Sequence, residues 1–274
     1  MWPVYFVLNK ILNVEAEKPQ KEEGSKELLN AEECHHIEPS TSNWECHKVL
    51  PCSRFIQVPH INQLNSWDCG LACVLMALNT IGITDCSIQS LADACNTTSI
   101  WTVDLAYVLQ KFSVRFSYFT VTLGANPNYS AETFYKEQLP NDLVRVDTLF
   151  RKAVDEGINI QVRSINEKEI SRLILSGHYI AIALVDQYKL RWSWVEDVIL
   201  SGMSSRSSYT GHYVLICGYD AVTDEFEIRD PASSRKDERI SSKCLEESRK
   251  SFGTDEDLLL IHLDESSQHL DADH

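Results

Sequence analysis

The sequence is poor in glycine, and this absence excludes two common kinds of binding loop. Only 10 glycines occur in 274 residues. Neither a G-x-x-x-x-G-K-[ST] loop nor a G-x-G-x-x-G fingerprint is present. Both motifs hold phosphate groups against a glycine-rich turn at the start of a helix. We therefore expect no P-loop and no dinucleotide-binding turn.

Basic side chains are also scarce. The sequence has 25 Lys and Arg against 40 Asp and Glu, a formal net charge of -15 at pH 7. A surface of this sign repels phosphate backbones and anionic lipid headgroups. We therefore expect no nucleic-acid partner, and a small phosphorylated ligand would need a metal ion or a local cluster of Lys and Arg.

No hydrophobic run near the start is long enough to cross a membrane. Residues 1–14, MWPVYFVLNKILNV, include Lys10, whereas a spanning helix needs about 20 apolar residues. The stretch also lacks the basic region and the small-residue cleavage site of a signal peptide. We expect it to pack against the main domain, with an interfacial anchor as the alternative.

The cysteines lack regular spacing. There are nine, an odd number, and none forms a Cys-x-x-Cys pair. Metal-capable side chains near the N-terminus also lack the spacing of a zinc site: Cys34, His35, His36, Cys46, His47 and Cys52. Disulfide frameworks and structural zinc sites both depend on recognisable spacings. We predict free thiols in a reducing compartment, cytoplasmic or nuclear.

Composition divides the chain into three regions. Residues 1–54 contain the apolar start and an acidic, polar lead-in without sustained periodicity, which we expect to be flexible. Residues 55–264 show alternating helix and strand patterns, and residues 265–274 form a polar tail. We predict a single catalytic domain over 55–264.

Within this domain, helical patterns come first and strand patterns mostly last. The segment DCGLACVLMALNTIG is apolar on nearly every side, which predicts a helix buried all round that stops at Gly82. Later runs, such as GHYVLICGYD and DLLLIHLD, are typical of strands. The order predicts an α+β fold with a buried central helix packed on an antiparallel β-sheet.

Cys69 opens the predicted central helix and is a candidate nucleophile. A thiol attacks as its thiolate, and the N–H groups and dipole at a helix N-terminus stabilise that anion. Asp68 is placed to cap the helix, and Gly70 would let a substrate carbonyl approach oxyanion-binding amides. We interpret Cys73, one turn later, as core. The alternative for Cys69 is the same, because free cysteines are usually buried.

Three further residues complete a candidate thiol site. His212 is the candidate general base, and Asp230 is the residue that would orient its imidazole. Gln63 is placed to donate a side-chain N–H to the oxyanion. Taken singly, His212 would be a polar residue at a strand start and Asp230 a turn residue. The order Gln, Cys, His, Asp across a helix and a sheet favours a papain-like constellation.

The motifs carry two resemblances. Q-x-x-x-x-D-C-G-x-A-C, G-H-Y-V-L-I and D-P-A resemble the papain-like cysteine peptidase domains that cleave leader peptides from bacteriocins. This resemblance implies a papain-like cysteine peptidase fold, with a peptide or amide substrate for the Cys69–His212–Asp230 site.

The second resemblance covers roughly residues 1–14 and 55–263. Segments such as SWDCGLACVLMAL, IWTVDLAYVLQKF and GHYVLICGYDAVTDEFEIRDPASS are similar to plant members of the guanylyl-cyclase-domain-containing family. The resemblance implies magnesium-dependent conversion of GTP to cyclic GMP, so that GTP is the substrate and Mg²⁺ the cofactor. No motif assigns residues to GTP or to the metal.

Two weaker signals favour structural interpretations. The run GTDED at 253–257 offers carboxylates to Mg²⁺, but we interpret it as surface charge. Trp101 lies on a periodic segment, which indicates core packing rather than a surface for stacking guanine. Three functions therefore stay open: a guanylyl cyclase, a papain-like thiol hydrolase, and a non-catalytic binding module on the same fold.

Overall fold

The computed structural model describes residues 50–192 and 209–263. The strands are β1 (Ser53–Phe55), β2 (Phe116–Thr120), β3 (Ile160–Val162), β4 (Tyr179–Asp186), β5 (Gly211–Asp220), β6 (Glu225–Arg229), β7 (Glu238–Ser241) and β8 (Leu258–His262). The α-helices are α1 (Cys69–Thr80), α2 (Ile88–Cys95), α3 (Thr102–Lys111), α4 (Leu139–Ala153), α5 (Glu167–Leu175), α6 (Gln187–Trp192) and α7 (Ser242–Arg249). Pro127–Ala131 adds a 3-10 helix.

Several predictions concern residues outside this description. They cover the apolar start and most of the lead-in, the polar tail and five metal-capable side chains: Cys34, His35, His36, Cys46 and His47. Within 50–192 and 209–263, no helix combines the length and apolar content that a bilayer crossing requires.

The strands form one mixed sheet in the order β3-β2-β8-β4-β5-β6-β7, and β1 pairs with the C-terminal half of β5. Every pair is antiparallel except β2 with β3. Helix α4 lies between β2 and β3 in the chain, and a strand that follows such a crossover returns parallel. The α+β prediction is confirmed, with this one parallel pair as the difference from the predicted sheet.

Both faces of the sheet are covered, because side chains alternate along each strand. On β4, Ile180 and Ile182 belong to the core formed with α1–α4, whereas Ala181 and Ala183 belong to the core formed with α5–α7. The sheet is therefore the middle of three layers. The near-continuous apolar runs of β4 and β5 follow from this double burial.

Helix α1 is buried on all its faces, as its apolar composition predicts. Every residue from 69 to 78 is buried. The helix ends at Thr80, and the Ile83 N–H donates to the carbonyl of Leu78 at 2.9 Å. Gly82 adopts a left-handed φ of +89°, which glycine tolerates at a helix end. The predicted stop at Gly82 is confirmed.

Gly70 has a different role from the predicted one. A Cβ atom there would lie 2.8 Å from Leu105 Cδ1 and 3.0 Å from Tyr213 Cδ2. The missing side chain therefore lets α1 approach α3 and β5 closely. The space into which a side chain of residue 70 would project is filled by Leu105 and Tyr213.

We predict that Leu78→Ala destabilises the protein much more than the same change at the surface. Leu78 is fully buried in α1 whereas Leu64 is 70% exposed. A cavity in this core costs about 2–5 kcal/mol of unfolding free energy, and Leu64→Ala is expected to cost about 0.5 kcal/mol or less. Urea denaturation of both variants measures the difference; similar losses would contradict the burial of α1.

Candidate active site

His212 and Asp230 lie on neighbouring strands and are hydrogen-bonded. His212 is the second residue of β5, and Asp230 directly follows β6. Nε2 of His212 lies 2.7 Å from Oδ1 of Asp230, and both side chains are buried. The same carboxylate oxygen accepts from the Ala232 N–H at 2.8 Å. This contact fixes the orientation of the imidazole, so that Nδ1 is the ring nitrogen left to face a reacting group.

Cys69 is the partner of the imidazole on its other side. The side chains of His212 and Cys69 are hydrogen-bonded. Burial alone would lower the pKa of His212, but the hydrogen bonds with Asp230 and Cys69 and their negative charges raise the pKa to about 9. The structure thus brings Cys69, His212 and Asp230 together, with the imidazole protonated at neutral pH.

Asp68 does not cap α1 with its side chain. It occupies the N-cap position, and its carbonyl accepts from the Ala72 N–H at 3.0 Å. Its carboxylate is turned back to the preceding loop, where Oδ1 accepts from the N–H groups of Leu64 and Asn65 at 3.1 and 3.0 Å. Asp68 is therefore the N-cap residue, as predicted, but it caps the helix with its carbonyl and not with its side chain. As a result, the Asp68 carboxylate does not accept hydrogen bonds from the N–H groups in the first turn of α1, the turn that contains Cys69.

Gln63 lies on a loop tied to the segment that follows Asp230. Its backbone N–H donates to the carbonyl of Pro231 at 3.0 Å, and Asn62 Nδ2 donates to the same carbonyl at 3.1 Å. Nε2 of Gln63 donates one hydrogen to the carbonyl of Asn65 at 2.7 Å. One N–H of the Gln63 amide remains for another acceptor, so its predicted oxyanion role stays a prediction.

Cys73 lies one turn beyond Cys69 and is fully buried. Its sulfur lies 3.5 Å from the carbonyl oxygen of Tyr213. Burial raises the pKa of this thiol, and the charges of Cys69 and Asp230 raise it further. Cys73 is therefore held as a neutral core thiol, as the sequence predicts.

Cys69 also lines a cavity of about 220 Å³. Aromatic side chains make up much of its wall: Trp67, Trp101, Phe134, Tyr135 and Tyr213. Polar groups from Ser66, Thr98 and Gln138 also contribute. Cys69 therefore lies on the wall of a cavity with many aromatic side chains.

Asp255 and Asp257 line the same cavity, and the sequence missed them. They are only 8% and 4% exposed, so the interpretation of residues 253–257 as surface charge is wrong. Burial raises the pKa of both carboxyl groups, that of Asp257 to about 8, and the charge of Asp255 adds to the rise at Asp257. Phenol hydroxyls from distant segments bond both carboxylates, a contact without a local sequence signal: Tyr129 and Tyr118.

Comparison with known proteins places the chain in a family. Residues 58–261 match the family described as "Guanylylate cyclase". Guanylyl cyclase 1 from Arabidopsis thaliana is 62% identical over 266 residues, which cover 96% of this chain and 97% of that protein. The chain belongs to this guanylylate cyclase family, and the predicted resemblance is confirmed.

Solved structures with low sequence identity show a distant likeness. One described as a C39-like peptidase from Bacillus anthracis has a TM-score of 0.44 at 12% identity, covering 74% of this chain and 94% of that one. Xylellain, a cysteine protease from Xylella fastidiosa, has a TM-score of 0.41 at 15% identity, covering 78% and 87% of the two chains.

We predict that the His212 imidazole titrates near pH 9 in the folded protein. The pKa is raised from 6.5, so its contribution to stability is complete below pH 6.5 and is lost as the pH rises through 9. Asp230→Asn removes a negative acceptor and should lower the midpoint, whereas Asp85→Asn at an exposed position should leave it unchanged. Imidazole NMR signals followed against pH measure the midpoint.

A midpoint below pH 7 in the unmodified protein would contradict the proposed pairing of His212 with Cys69 and Asp230. Equal midpoints in the unmodified protein and Asp230→Asn would show that Asp230 does not hold the imidazolium.

Proposed function

We propose that the protein converts GTP into cyclic GMP and pyrophosphate. Membership of the guanylylate cyclase family, with 62% identity to Guanylyl cyclase 1 over 96% of the chain, supports this activity. The 3′-oxygen of the ribose forms a bond to the α-phosphorus, and the bond from that phosphorus to the pyrophosphate oxygen breaks. The 3′-hydroxyl proton passes to a base.

In this proposal, magnesium arrives with the nucleotide. In the part of the chain that the structure describes, no group of three or more His, Cys, Asp or Glu side chains is arranged to hold a metal. Mg²⁺ is often bound by one or two carboxylates together with substrate phosphates. We therefore treat Mg²⁺-bound GTP as the substrate.

We predict that GTP and Mg²⁺ together raise the melting temperature and that cyclic GMP accumulates. A ligand at 100 times its dissociation constant stabilises the folded state by about 2.7 kcal/mol. ATP with Mg²⁺ is the matched control and should cause a smaller shift. Absence of both the shift and the cyclic GMP would contradict the cyclase proposal.

Two site variants locate the cyclase chemistry within the molecule. If Cys69→Ser and His212→Ala both lose cyclic GMP production while remaining folded, the reaction uses the cavity at Cys69. If both retain it, the cyclase site lies elsewhere and the Cys69 site has a separate function.

The geometry supports a second candidate, a thiol hydrolase. The observation behind it is the Cys69 sulfur at the head of α1, hydrogen-bonded to a His212 imidazole that Asp230 orients. The thiolate would attack a substrate carbonyl, and the first-turn N–H groups with Gln63 would bind the oxyanion. His212 would give its proton to the leaving amine, and water would then hydrolyse the thioester.

We predict that iodoacetamide alkylates Cys69 about tenfold faster than Cys52, which is exposed. Cys73 should stay unmodified, because it is buried and its pKa is raised. His212→Ala should slow the reaction at Cys69 by removing the cation beside the sulfur. Peptide mass spectrometry after a timed quench measures each site.

A rate at Cys69 no faster than the rate at Cys52 would contradict the activated thiol. It would favour the third hypothesis, a binding module that keeps the fold without turnover.

We further propose that the catalytic domain comprises residues 55–264 and acts in the cytoplasm or nucleus. The seven cysteines within the described ranges are all free thiols. Free thiols persist in a reducing compartment, and this supports the proposed location.

A further inference from the structure

The acidic pair of the Cys69 cavity has an unused hydrogen-bond acceptor. Oδ2 of Asp257 accepts from the Tyr118 hydroxyl at 3.0 Å. Oδ1 of Asp257 is buried and meets no donor in good hydrogen-bond geometry among the described residues, although the hydroxyls of Thr102 and Thr120 lie near enough to lower the pKa of this carboxyl. A buried carboxylate oxygen without a donor costs free energy. Because Asp257 lines the cavity, a donor entering the cavity would remove that cost.

Hydrogen bonds from other segments hold the loop of residues 253–257, which carries Asp255 and Asp257. The hydroxyls of Tyr135 and Tyr209 donate to the carbonyl of Gly253 at 2.7 and 2.8 Å. Nη1 of Arg249, a fully buried residue, donates to the carbonyl of Glu256 at 3.0 Å. These bonds use side chains from separate segments to fix the main chain of residues 253–257.

The backbone of this loop is also strained. Asp255 and Glu256 have φ values of 49° and 53°, in the left-handed region that residues other than glycine adopt uncommonly. Such conformations persist where the surroundings hold them, and they cluster at functional sites. The loop with these two residues also carries Asp255 and Asp257 on the wall of one cavity.

The cavity wall suits a positive group. Aromatic faces attract cations, and five aromatic residues line the space with the two acids. No Lys or Arg is found among the described residues that line it. The volume of about 220 Å³ is smaller than the roughly 300–1,000 Å³ of sites that enclose drug-sized ligands. A triphosphate would meet charge of its own sign here, whereas a single amine would not.

We propose that this cavity binds a protonated amine or guanidinium group of the substrate, with the carboxyl group of Asp257 as its acceptor. The proposal rests on the thiol-hydrolase function and names its substrate class, a peptide or amide with a cationic group next to the carbonyl that Cys69 attacks. Burial and Asp255 keep a proton on the empty acidic pair near neutral pH, and an entering cation displaces that proton.

An organic cation suits the pair better than a metal ion. Each carboxylate already accepts a hydrogen bond from a phenol, Tyr129 at Asp255 and Tyr118 at Asp257. Mg²⁺ demands about six oxygen ligands in octahedral geometry, whereas an ammonium group needs one acceptor and gains from the aromatic wall. The structure therefore favours an amine, and a metal ion is an outcome of the test.

The first test is the melting temperature with benzylammonium chloride, a small aromatic amine, against its neutral analogue benzyl alcohol. Benzylammonium should raise the melting temperature of the unmodified protein by about 2 °C or more, and benzyl alcohol should not. Asp257→Asn keeps the shape and an oxygen acceptor for Tyr118, and should lose the shift. Glu256→Gln, at the neighbouring residue outside the cavity wall, should keep it.

The second test measures whether Cys69 reacts faster with a cationic reagent than with a neutral one. The thiolate displaces sulfinate from 2-aminoethyl methanethiosulfonate, a cation, or from methyl methanethiosulfonate, which is neutral. The rate ratio at Cys69, divided by that at exposed Cys52, should favour the cation about tenfold, and Asp257→Asn should remove most of this preference. Site-resolved mass spectrometry gives both ratios.

Three results would overturn the amine site: equal shifts with the alcohol, an unchanged benzylammonium shift in Asp257→Asn, or a shift from MgCl₂ in place of benzylammonium that Asp257→Asn removes. If Cys69 is inert to both reagents while the benzylammonium shift still depends on Asp257, the amine site stands and the thiol-hydrolase function fails.

Discussion

Burial of α1 on every side is the constraint on which the candidate site depends. Residues 69–78 have no face turned to water, so the helix can lie only between the sheet and its covering helices. Its N-terminus then meets β5 near the start of that strand, where His212 lies. Contact between the Cys69 thiol and the His212 imidazole therefore results from core packing. Because Gly70 has no side chain, α1 and β5 can approach each other closely enough for this contact.

The protonation states of His212 and Asp257 have different physical causes. The His212 imidazolium overcomes its burial through two hydrogen bonds, one to Asp230 and one to Cys69. Burial and the charge of Asp255 instead raise the pKa of Asp257 to about 8, although hydrogen bonds from the hydroxyls of Thr102, Thr120 and Tyr118 act to lower it, so this carboxyl retains a proton near neutral pH. The His212 imidazole and the Asp257 carboxyl therefore both carry a proton near neutral pH, the first because of its partners and the second mainly because of its burial.

Much of this arrangement could be predicted from the sequence, and the physical reasons for success and failure are distinct. Helix α1, strand β5 and the order of Cys69, His212 and Asp230 follow from strong apolar periodicity and from chemistry at the ends of periodic segments. The burial of Asp257 could not be predicted, because residues 253–257 carry no periodicity and their donors lie more than a hundred residues away in sequence. The N-cap position of Asp68 could be predicted, but the direction of its carboxylate could not, because the preceding loop competes for the same oxygen atoms.

The position of β8 affects how the molecule is made. It is the last described strand in the chain, yet it lies between β2 and β4 in the sheet. While the ribosome holds this strand back, β2 and β4 have no shared neighbour, and each presents a bare edge to other chains. The acidic loop before β8 arrives at the same moment, so a nascent chain carries its thiol before it can complete the pocket around it.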